Sequence, residues 1–306
     1  MKFGYALTTS TRGRGLAPPE LVLEQARLAD QLGYHSVWVL DHVASKHRFL
    51  DPIVMLSLVG GVTRSVKLCT GILILPARNP LILAKEVGAL DYMTGGRVML
   101  GVGAGSPPEV FEVWSTSPKD RAEKLVEGIQ LLKKIWSEPV VSFEGKHYKY
   151  QNIVMEPKPK QQPLPILMGG HSDAAMRRAA KYADGYIGGN EYTPDLCKTN
   201  RQKIVSYLRD YGRDPSNFVF AVELWSYCAF TPEEAKLSSE YLLSKYYGKP
   251  YEEARRSGGC IVGTIDECAK IAKSYDEAGC DVLIWSPTTP DLSQIERCAT
   301  EVMRKF

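Results

Sequence analysis

The chain has 306 residues, 44% of them hydrophobic, and carries 38 basic against 35 acidic side chains for a net charge of +3. That length and apolar content are enough for a large buried core, while the charge balance and the lack of a basic run interleaved with aromatics argue against nucleic acid as a partner. No apolar stretch reaches the roughly 18 residues that span a bilayer, and the opening Lys2-Phe3-Gly4-Tyr5-Ala6-Leu7 reads as a strand, so a cytoplasmic protein with no membrane partner is expected.

In chain order, short β-branched runs alternate with longer amphipathic ones. Strands are predicted at Phe3–Thr8, Ser36–Leu40, Lys67–Leu75, Val98–Val102, Ile166–Gly169, Gly185–Gly188, Phe218–Cys228 and Asp281–Trp285. Helices are predicted at Pro18–Leu32, Pro52–Thr63, Pro80–Thr94, Arg121–Trp136, Asp173–Tyr182, Pro194–Tyr211, Pro232–Tyr247, Thr264–Ala278 and Leu292–Lys305. Proline recurs at helix starts and glycine near helix ends, where each suits the backbone. Eight strands, each followed by a helix, is the count of an α/β fold of the (β/α)8 barrel type. The competing architecture is a doubly wound open sheet, which wants a glycine-rich fingerprint after its first strand. Thr8 to Gly15 does not supply one. One domain over 1–306 is expected, with insertions at 139–165 and 249–263. The first reads as a hairpin turning at Glu144-Gly145 followed by a Pro-rich loop, the second as a polar lid. The seven cysteines are odd in number and scattered without C-x-x-C, so free thiols are expected, with no metal site.

In a barrel, the segments after the strands converge on one rim, and that rim carries the chemistry. Asp41-His42 ends the second strand; Asp41 either caps a turn or joins the site, and His42 is either a loop histidine or an acid–base group. Gly169-Gly170-His171-Ser172-Asp173, leading into Ala174-Ala175-Met176, is the best anion site, because backbone amides, the Ser172 hydroxyl and a helix start point the same way. Its plainer reading is a turn in which Ser172 or Asp173 only caps the helix. Arg12, Arg14, Arg78, His47 and Arg48 are either solvated surface or holders of an anionic group. Glu223 shares a strand face with Trp225 and Tyr227, and is either a buried carboxylate beside the site or a salt-bridged structural residue.

Taken together, Gly33-Tyr34-x-Ser36-Val37-Trp38-Val39-x-Asp41-His42, Thr70-Gly71-Ile72-Leu73-Ile74-Leu75-Pro76, and Leu90-Asp91-x-x-Thr94-Gly95-Gly96-Arg97-Val98-x-Leu100-Gly101-Val102-Gly103-Ala104-Gly105 resemble the bacterial luciferase-like superfamily. Gly169-Gly170-x-Ser172 with Ala183-Asp184-Gly185-Tyr186, and Val262-Gly263-Thr264-x-Asp266-Glu267, extend the resemblance. Within it the chain is similar to deazaflavin (coenzyme F-420) dependent oxidoreductases, including methylenetetrahydromethanopterin reductase. The resemblance implies hydride transfer between the deazaflavin and a small organic substrate, with FMN-dependent monooxygenation as the alternative and a non-catalytic flavin or deazaflavin carrier as a second. It places Asp41 and His42 beside the ring as catalytic residues. A bulged, cis peptide at Gly71-Ile72 or Ile72-Leu73 would back the ring, Ala104 and Gly105 would border it, and Gly169, Gly170 and Ser172 would hold the phosphate. It also suggests a homodimer through the helices near Pro52–Thr63 and Pro80–Thr94. Two family carboxylates are missing: Ser106-Pro107-Pro108 follows the Gly-x-Gly turn where an acid is expected, and Ala6 stands where the reductases carry glutamate. Glu109 and Glu223 are the candidates to replace them.

Overall fold

The computed structural model describes residues 1–9, 15–43, 49–105, 117–257 and 259–306. Eight parallel strands close into a ring: β1 (Lys2–Ala6), β2 (Ser36–Val39), β3 (Lys67–Thr70), β5 (Val98–Gly103), β8 (Ile166–Gly169), β9 (Gly185–Gly188), β10 (Val219–Ala229) and β12 (Val282–Pro287), with β12 returning to β1. This is the (β/α)8 barrel that the alternation of strands and helices predicts. The helices that follow are α1 (Pro19–Gln31), α2 (Pro52–Val62), α3 (Pro80–Met93), α4 (Arg121–Ser137), α5 (Asp173–Tyr182), α6 (Pro194–Asp210), α7 (Pro232–Tyr247), α8 (Tyr251–Ser257), α9 (Ile265–Glu277) and α10 (Ser293–Arg297). No described helix is long and apolar enough to cross a membrane.

Strand alternation sorts the core into two layers. Outward residues such as Phe3, Tyr5, Val37, Val39, Leu68 and Leu100 join the helices in the main cluster. Inward residues Ala6, Trp38, Cys69, Met99, Leu167, Ile187, Ala221, Val282 and Ile284 plug the lumen. Local signals start the helices on time. Asp51 and Asn79 accept from the first N–H groups of α2 and α3, and Thr264 and Glu267 form a capping box on α9. Gly33 takes φ +80° just past α1, the left-handed backbone a helix stop of this kind requires. At the opposite end of the barrel from the strand carboxyl termini, Asp30 accepts from the N–H groups of Arg64, Ser65 and Val66 and from the Ser65 hydroxyl, which fixes the entry to β3.

Three departures from the expected elements have physical causes. The run Lys67–Leu75 is not one strand: it breaks at the cis peptide Gly71–Ile72 and resumes as β4 (Leu73–Ile74), which pairs with β5. The stretch 249–263 is not simply a polar lid, because it contains α8 and the buried strand β11 (Cys260–Thr264). Strand β10 is 11 residues long; it pairs with β9 at its start, with β12 in its middle, and with β11 in parallel at its end. The apolar residues Cys260 and Val262 then pack under Tyr227, Leu243 and Ala254 in a third cluster. Finally, the C-terminal helix is regular only over Ser293–Arg297, widens into a π turn at Cys298–Val302 and tightens into a 3-10 turn at Met303–Lys305. The hairpin does form outside the ring, β6 (Val141–Glu144) against β7 (Lys149–Ile153), with Gly145 N–H donating to the Tyr148 carbonyl.

His35 precedes β2 at the amino end of the barrel, and burial, with the Lys2 and Lys67 charges adding, pushes its pKa down to about 4. The folded protein therefore keeps this imidazole neutral where the unfolded chain, titrating near 6.5, takes up a proton. The contribution is full above about pH 6.5 and declines as pH falls toward 4. Chemical denaturation at a series of pH values is expected to show that decline, and His35→Gln is expected to flatten it; an unchanged slope would exclude His35 as its source.

Candidate functional site

Above the lumen plug the carboxyl rim is floored by small residues. Ile72 lies over the plug, and its side chain occupies the space that Cβ atoms at Gly103 and Gly169 would enter, at 2.6 and 3.0 Å. Gly71 is packed on Trp38, whose Cε3 would be 3.0 Å from an added Cβ. Ala104, Gly105, Gly169 and Gly170 at the ends of β5 and β8 are partly exposed, while Leu73 is fully buried in the main core beside β5. Of the three residues expected to back a ring, Gly71 and Ile72 thus sit over the lumen and Leu73 does not.

Asp41 and His42 separate. Asp41 shares strand parity with Val37 and Val39 of the outer core, and its carboxylate accepts from Ile74 N–H at 3.0 Å and from Arg78 at 3.1 and 3.3 Å. Arg78 also pairs with Asp51 at 2.8 Å, and the Arg78 and Asp41 side chains are only 18% and 3% exposed. Burial by itself lowers the Arg78 pKa, but Asp41 and Asp51 outweigh it and hold the guanidinium charged. This corrects the surface reading of Arg78. Arg78 is not solvated surface but is paired with Asp41 and Asp51, and Asp41, which caps no turn of its own, braces the segment after β4; both also line the recess beside His42. His42 is exposed, with its ring 4.3 Å from that of Phe49, and both border a recess of about 300 Å³ that also touches Arg78. Arg12, Arg14, His47, Arg48, Ser106 and Glu109 lie outside the described residues.

At the end of β8, Gly170 has φ +150°, and an added Cβ would lie 2.7 Å from that of Ala175, so a side chain there is strained and obstructed. The Ser172 hydroxyl accepts from Ala175 N–H, capping α5 as its plainer reading holds. No hydrogen bond among the described residues engages the N–H of His171, Ser172, Asp173 or Ala174. These are the orphan donors of a helix start, and they leave the loop open to an anion. The Tyr186 hydroxyl donates to the Gly170 carbonyl from behind and meets the Tyr192 hydroxyl. In a trans peptide the carbonyl and the next N–H point opposite ways. Tying Gly170 C=O inward therefore turns His171 N–H outward.

Across the rim, Glu223 is on the β10 face of Val219 and Ala221, which pack in the lumen cluster; it is 7% exposed and stands opposite Ile284 in register. Tyr227, two turns of the alternation further, belongs instead to the cluster under α7 and α8. Trp225 meets Tyr246 edge-on at 5.5 Å, and the Tyr247 hydroxyl donates to the carbonyls of Asn190 and Gly259. Burial, with Glu191 and Glu223 adding negative charge, raises the Tyr246 pKa. This aromatic wall escaped the sequence reading: Tyr246-Tyr247 at the end of a helix looks like any amphipathic face until the crossover to β11 folds it over the rim. All seven cysteines are buried and free.

Comparison with known proteins places this geometry. Residues 1–281 match the family model described as luciferase-like monooxygenase. An uncharacterized protein of Mycobacterium tuberculosis is 33% identical over 209 residues, covering 62% of this chain and 69% of that protein. An F420-dependent glucose-6-phosphate dehydrogenase of Kineococcus radiotolerans is 28% identical over 260 residues, covering 76% of this chain and 75% of that protein. Among solved structures, a monooxygenase of Streptomyces bottropensis superposes with a TM-score of 0.87 at 22% identity, over 100% of this chain and 99% of the other.

Removing Asp41 leaves Arg78 half-paired and Ile74 N–H without its acceptor, both in a buried setting. Asp41→Ala is expected to cost about 3 kcal/mol in urea denaturation. In the cycle with Arg78→Met the double variant is expected to lose less than the sum of the singles; strict additivity would show that the pair is not coupled.

Proposed function

From the premise that the chain belongs to the luciferase-like monooxygenase family, we propose that it is an oxidoreductase that binds coenzyme F-420 across the carboxyl rim and exchanges a hydride with a small organic substrate. The observation that carries the reading is the rim itself. Gly71 and Ile72, with Gly103 and Gly169 packed against the Ile72 side chain, make an apolar floor on which a planar ring would lie, and beside it the Gly169–Ser172 loop holds N–H groups unengaged among the described residues where a phosphate would sit. The residues present therefore fit the cofactor. When bound, the deazaflavin supplies a two-electron hydride carrier. The kinship with an F420-dependent dehydrogenase supports the deazaflavin over FMN.

The chain's own contribution is orientation and proton handling. Ile72, Gly71 and Ala104 seat the ring, Gly105 leaves room at its edge, and Gly170 with Ser172 receives the phosphate. Asp41 positions the Ile74–Arg78 segment that directly follows the floor residues Gly71 and Ile72. His42, exposed at the mouth and stacked near Phe49, is the acid–base group, since imidazole is the side chain type that changes charge near neutral pH. Glu223 faces the lumen from the opposite wall and is the carboxylate placed to stand in for the missing family acids.

Side-by-side titration of the purified protein with coenzyme F-420 and FMN tests the cofactor: tighter binding of F-420 is expected, and binding of FMN alone would make the protein a flavin monooxygenase. His42→Ala is expected to lose roughly 10²–10⁴-fold in turnover while retaining cofactor. Wild-type turnover in His42→Ala with loss in Glu223→Gln would move the acid–base role to the glutamate, and no turnover by the wild type with any acceptor would leave a cofactor carrier.

The protein is also proposed to form a homodimer through α2 and α3. Helix α2 carries no charged residue over its 11 positions, and it exposes Val54 (62%) and Leu58 (59%) beside Ile82 of α3 (57%). Sedimentation is expected to show a dimer that Leu58→Asp converts to monomer; a monomeric wild type would leave that face without a partner copy.

A further inference from the structure

The turn after β9 brings a carboxylate and a set of oxygen acceptors to the rim beside the aromatic wall. Tyr192 N–H donates to the Gly189 carbonyl at 3.1 Å, which closes the turn and leaves Asn190 and Glu191 at its two corners. The turn is fixed from both sides. The Tyr247 hydroxyl at the end of α7 donates to the Asn190 carbonyl at 2.5 Å, and the Tyr275 hydroxyl donates to the Tyr192 carbonyl at 2.6 Å. The side-chain Oδ1 of Asn190 is buried with no donor among the described residues. Glu191 is exposed and, among the described residues, makes no hydrogen bond or ion pair.

Tyr246 stands next to this turn. Its ring centre lies 5.0 Å from that of Tyr247 and 5.5 Å from that of Trp225, nearly perpendicular to both, and the residue is 47% exposed. Edge-on packing leaves ring faces uncovered, and a ring face is the negative side of the aromatic quadrupole. The charges that reach these phenols have the same sign. After burial, Glu191 and Glu223 raise the Tyr246 pKa, and Glu191 adds to burial, Cys260 and Tyr246 in raising that of Tyr247. Basic side chains at the end of α7 and on α8 turn elsewhere: Lys245 donates to the Tyr241 hydroxyl at 3.4 Å, Lys249 pairs with Glu253 at 3.1 Å and Arg255 with Glu267 at 3.1 Å. Ring faces of Trp and Tyr beside a carboxylate are the groups that hold an organic cation, by attraction to the quadrupole and to the charge. A neutral ligand gains nothing from Glu191, and an anion is repelled by it.

We propose that the substrate is an organic cation, an amine whose nitrogen is protonated or quaternary, and that Tyr246, Trp225 and Glu191 select it by its charge. The proposal rests on the reading of the rim as an oxidoreductase site and names the substrate class of that site. The nitrogen sits at the aromatic wall, with Glu191 on its solvent side, and the rest of the molecule reaches toward the floor of Gly71 and Ile72.

The test uses three probes of one shape and different charge: choline, its neutral isostere 3,3-dimethyl-1-butanol, and the anion 3,3-dimethylbutanoate. Each is titrated calorimetrically into the full chain, free and saturated with coenzyme F-420, at two salt concentrations. Wild type is expected to bind choline roughly fivefold or more tightly over the neutral probe and the anion least, with a margin that shrinks as salt rises. Glu191→Gln is expected to lose the salt-dependent part of that margin. Tyr246→Leu is expected to lose most of the rest, whereas Tyr246→Phe keeps it, because phenylalanine retains the ring face. Melting temperature and F-420 affinity are expected to be unchanged in Glu191→Gln and Tyr246→Phe. A wild type that binds choline no better than the neutral probe, or binds neither, overturns the proposal. A preference that survives both Glu191→Gln and Tyr246→Leu places the cation elsewhere and overturns it as well. Where Tyr246→Leu fails to fold, Glu191→Gln decides, since Glu191 is exposed: an unchanged margin and salt dependence overturn the proposal. A wild type that prefers choline as expected but binds neither F-420 nor FMN overturns the cofactor reading alone.

Discussion

The large side chain in the lumen, Trp38, sets the level on which the rest of the molecule is built. Its indole donates to Ser36 Oγ at 2.8 Å, and it leaves so little room that a Cβ on Gly4 would lie 2.5 Å from Nε1 and one on Gly71 3.0 Å from Cε3. Interiors at crystal-like density allow such a side chain only where its neighbours give way. Gly4 does so on β1 and Gly71 just past the end of β3, the two strands that pair with β2. With the lumen filled to that height by Trp38 and its eight partners, the next inward positions become the floor of a site. The barrel therefore places Gly71, Gly103 and Gly169 at the rim for the same reason that it closes at all.

Charge is distributed around the rim by a division of labour. On the β2–β4 side the strongly charged groups neutralise one another: Asp41, Arg78 and Asp51 form a half-buried triad that holds the chain after β4 in place. Breaking one member of such a group is costly, so it serves positioning and is poorly suited to proton transfer. On the β5–β8 side the amides at the start of α5 are left unengaged among the described residues. A third wall, from Trp225, Tyr246 and Tyr247, is aromatic and contains the lumen-facing Glu223. A ring stacked on the floor would thus meet fixed donors at its tail and a carboxylate with an aromatic wall opposite.

The extension of β10 beyond the ring links architecture to that third wall. Because β10 runs on past β9, it can take β11 as an additional parallel partner, and the connecting helices α7 and α8 must then pack over the rim. The Tyr247 hydroxyl ties that cover to Asn190 and Gly259, joining the ends of β9 and the entry to β11. What reads in the sequence as a polar insertion is, by this pairing, the structure that closes one side of the cleft.

The local content of the amino-acid sequence was sufficient for much of this. Period-2 and helical patterns, prolines at helix starts and the Gly33 stop are local properties of the backbone, and they were enough to predict eight strands, their helices and the barrel. The Gly169–Ser172 loop was legible for the same reason, since a glycine pair before a capped helix carries its geometry with it. The partners of side chains were not legible. Asp41 and Arg78 stand 37 residues apart, Arg121 and Gly105 sixteen, and Tyr186 and Gly170 sixteen; only the packing of neighbouring strands and helices brings each pair into contact. The sequence could name Asp41 and His42 as adjacent titratable groups, but strand parity sends one into the outer core and leaves the other at the mouth. Whether a charged side chain is spent on structure or left available for a ligand depends on which opposite charges reach it, and that is decided by tertiary packing alone.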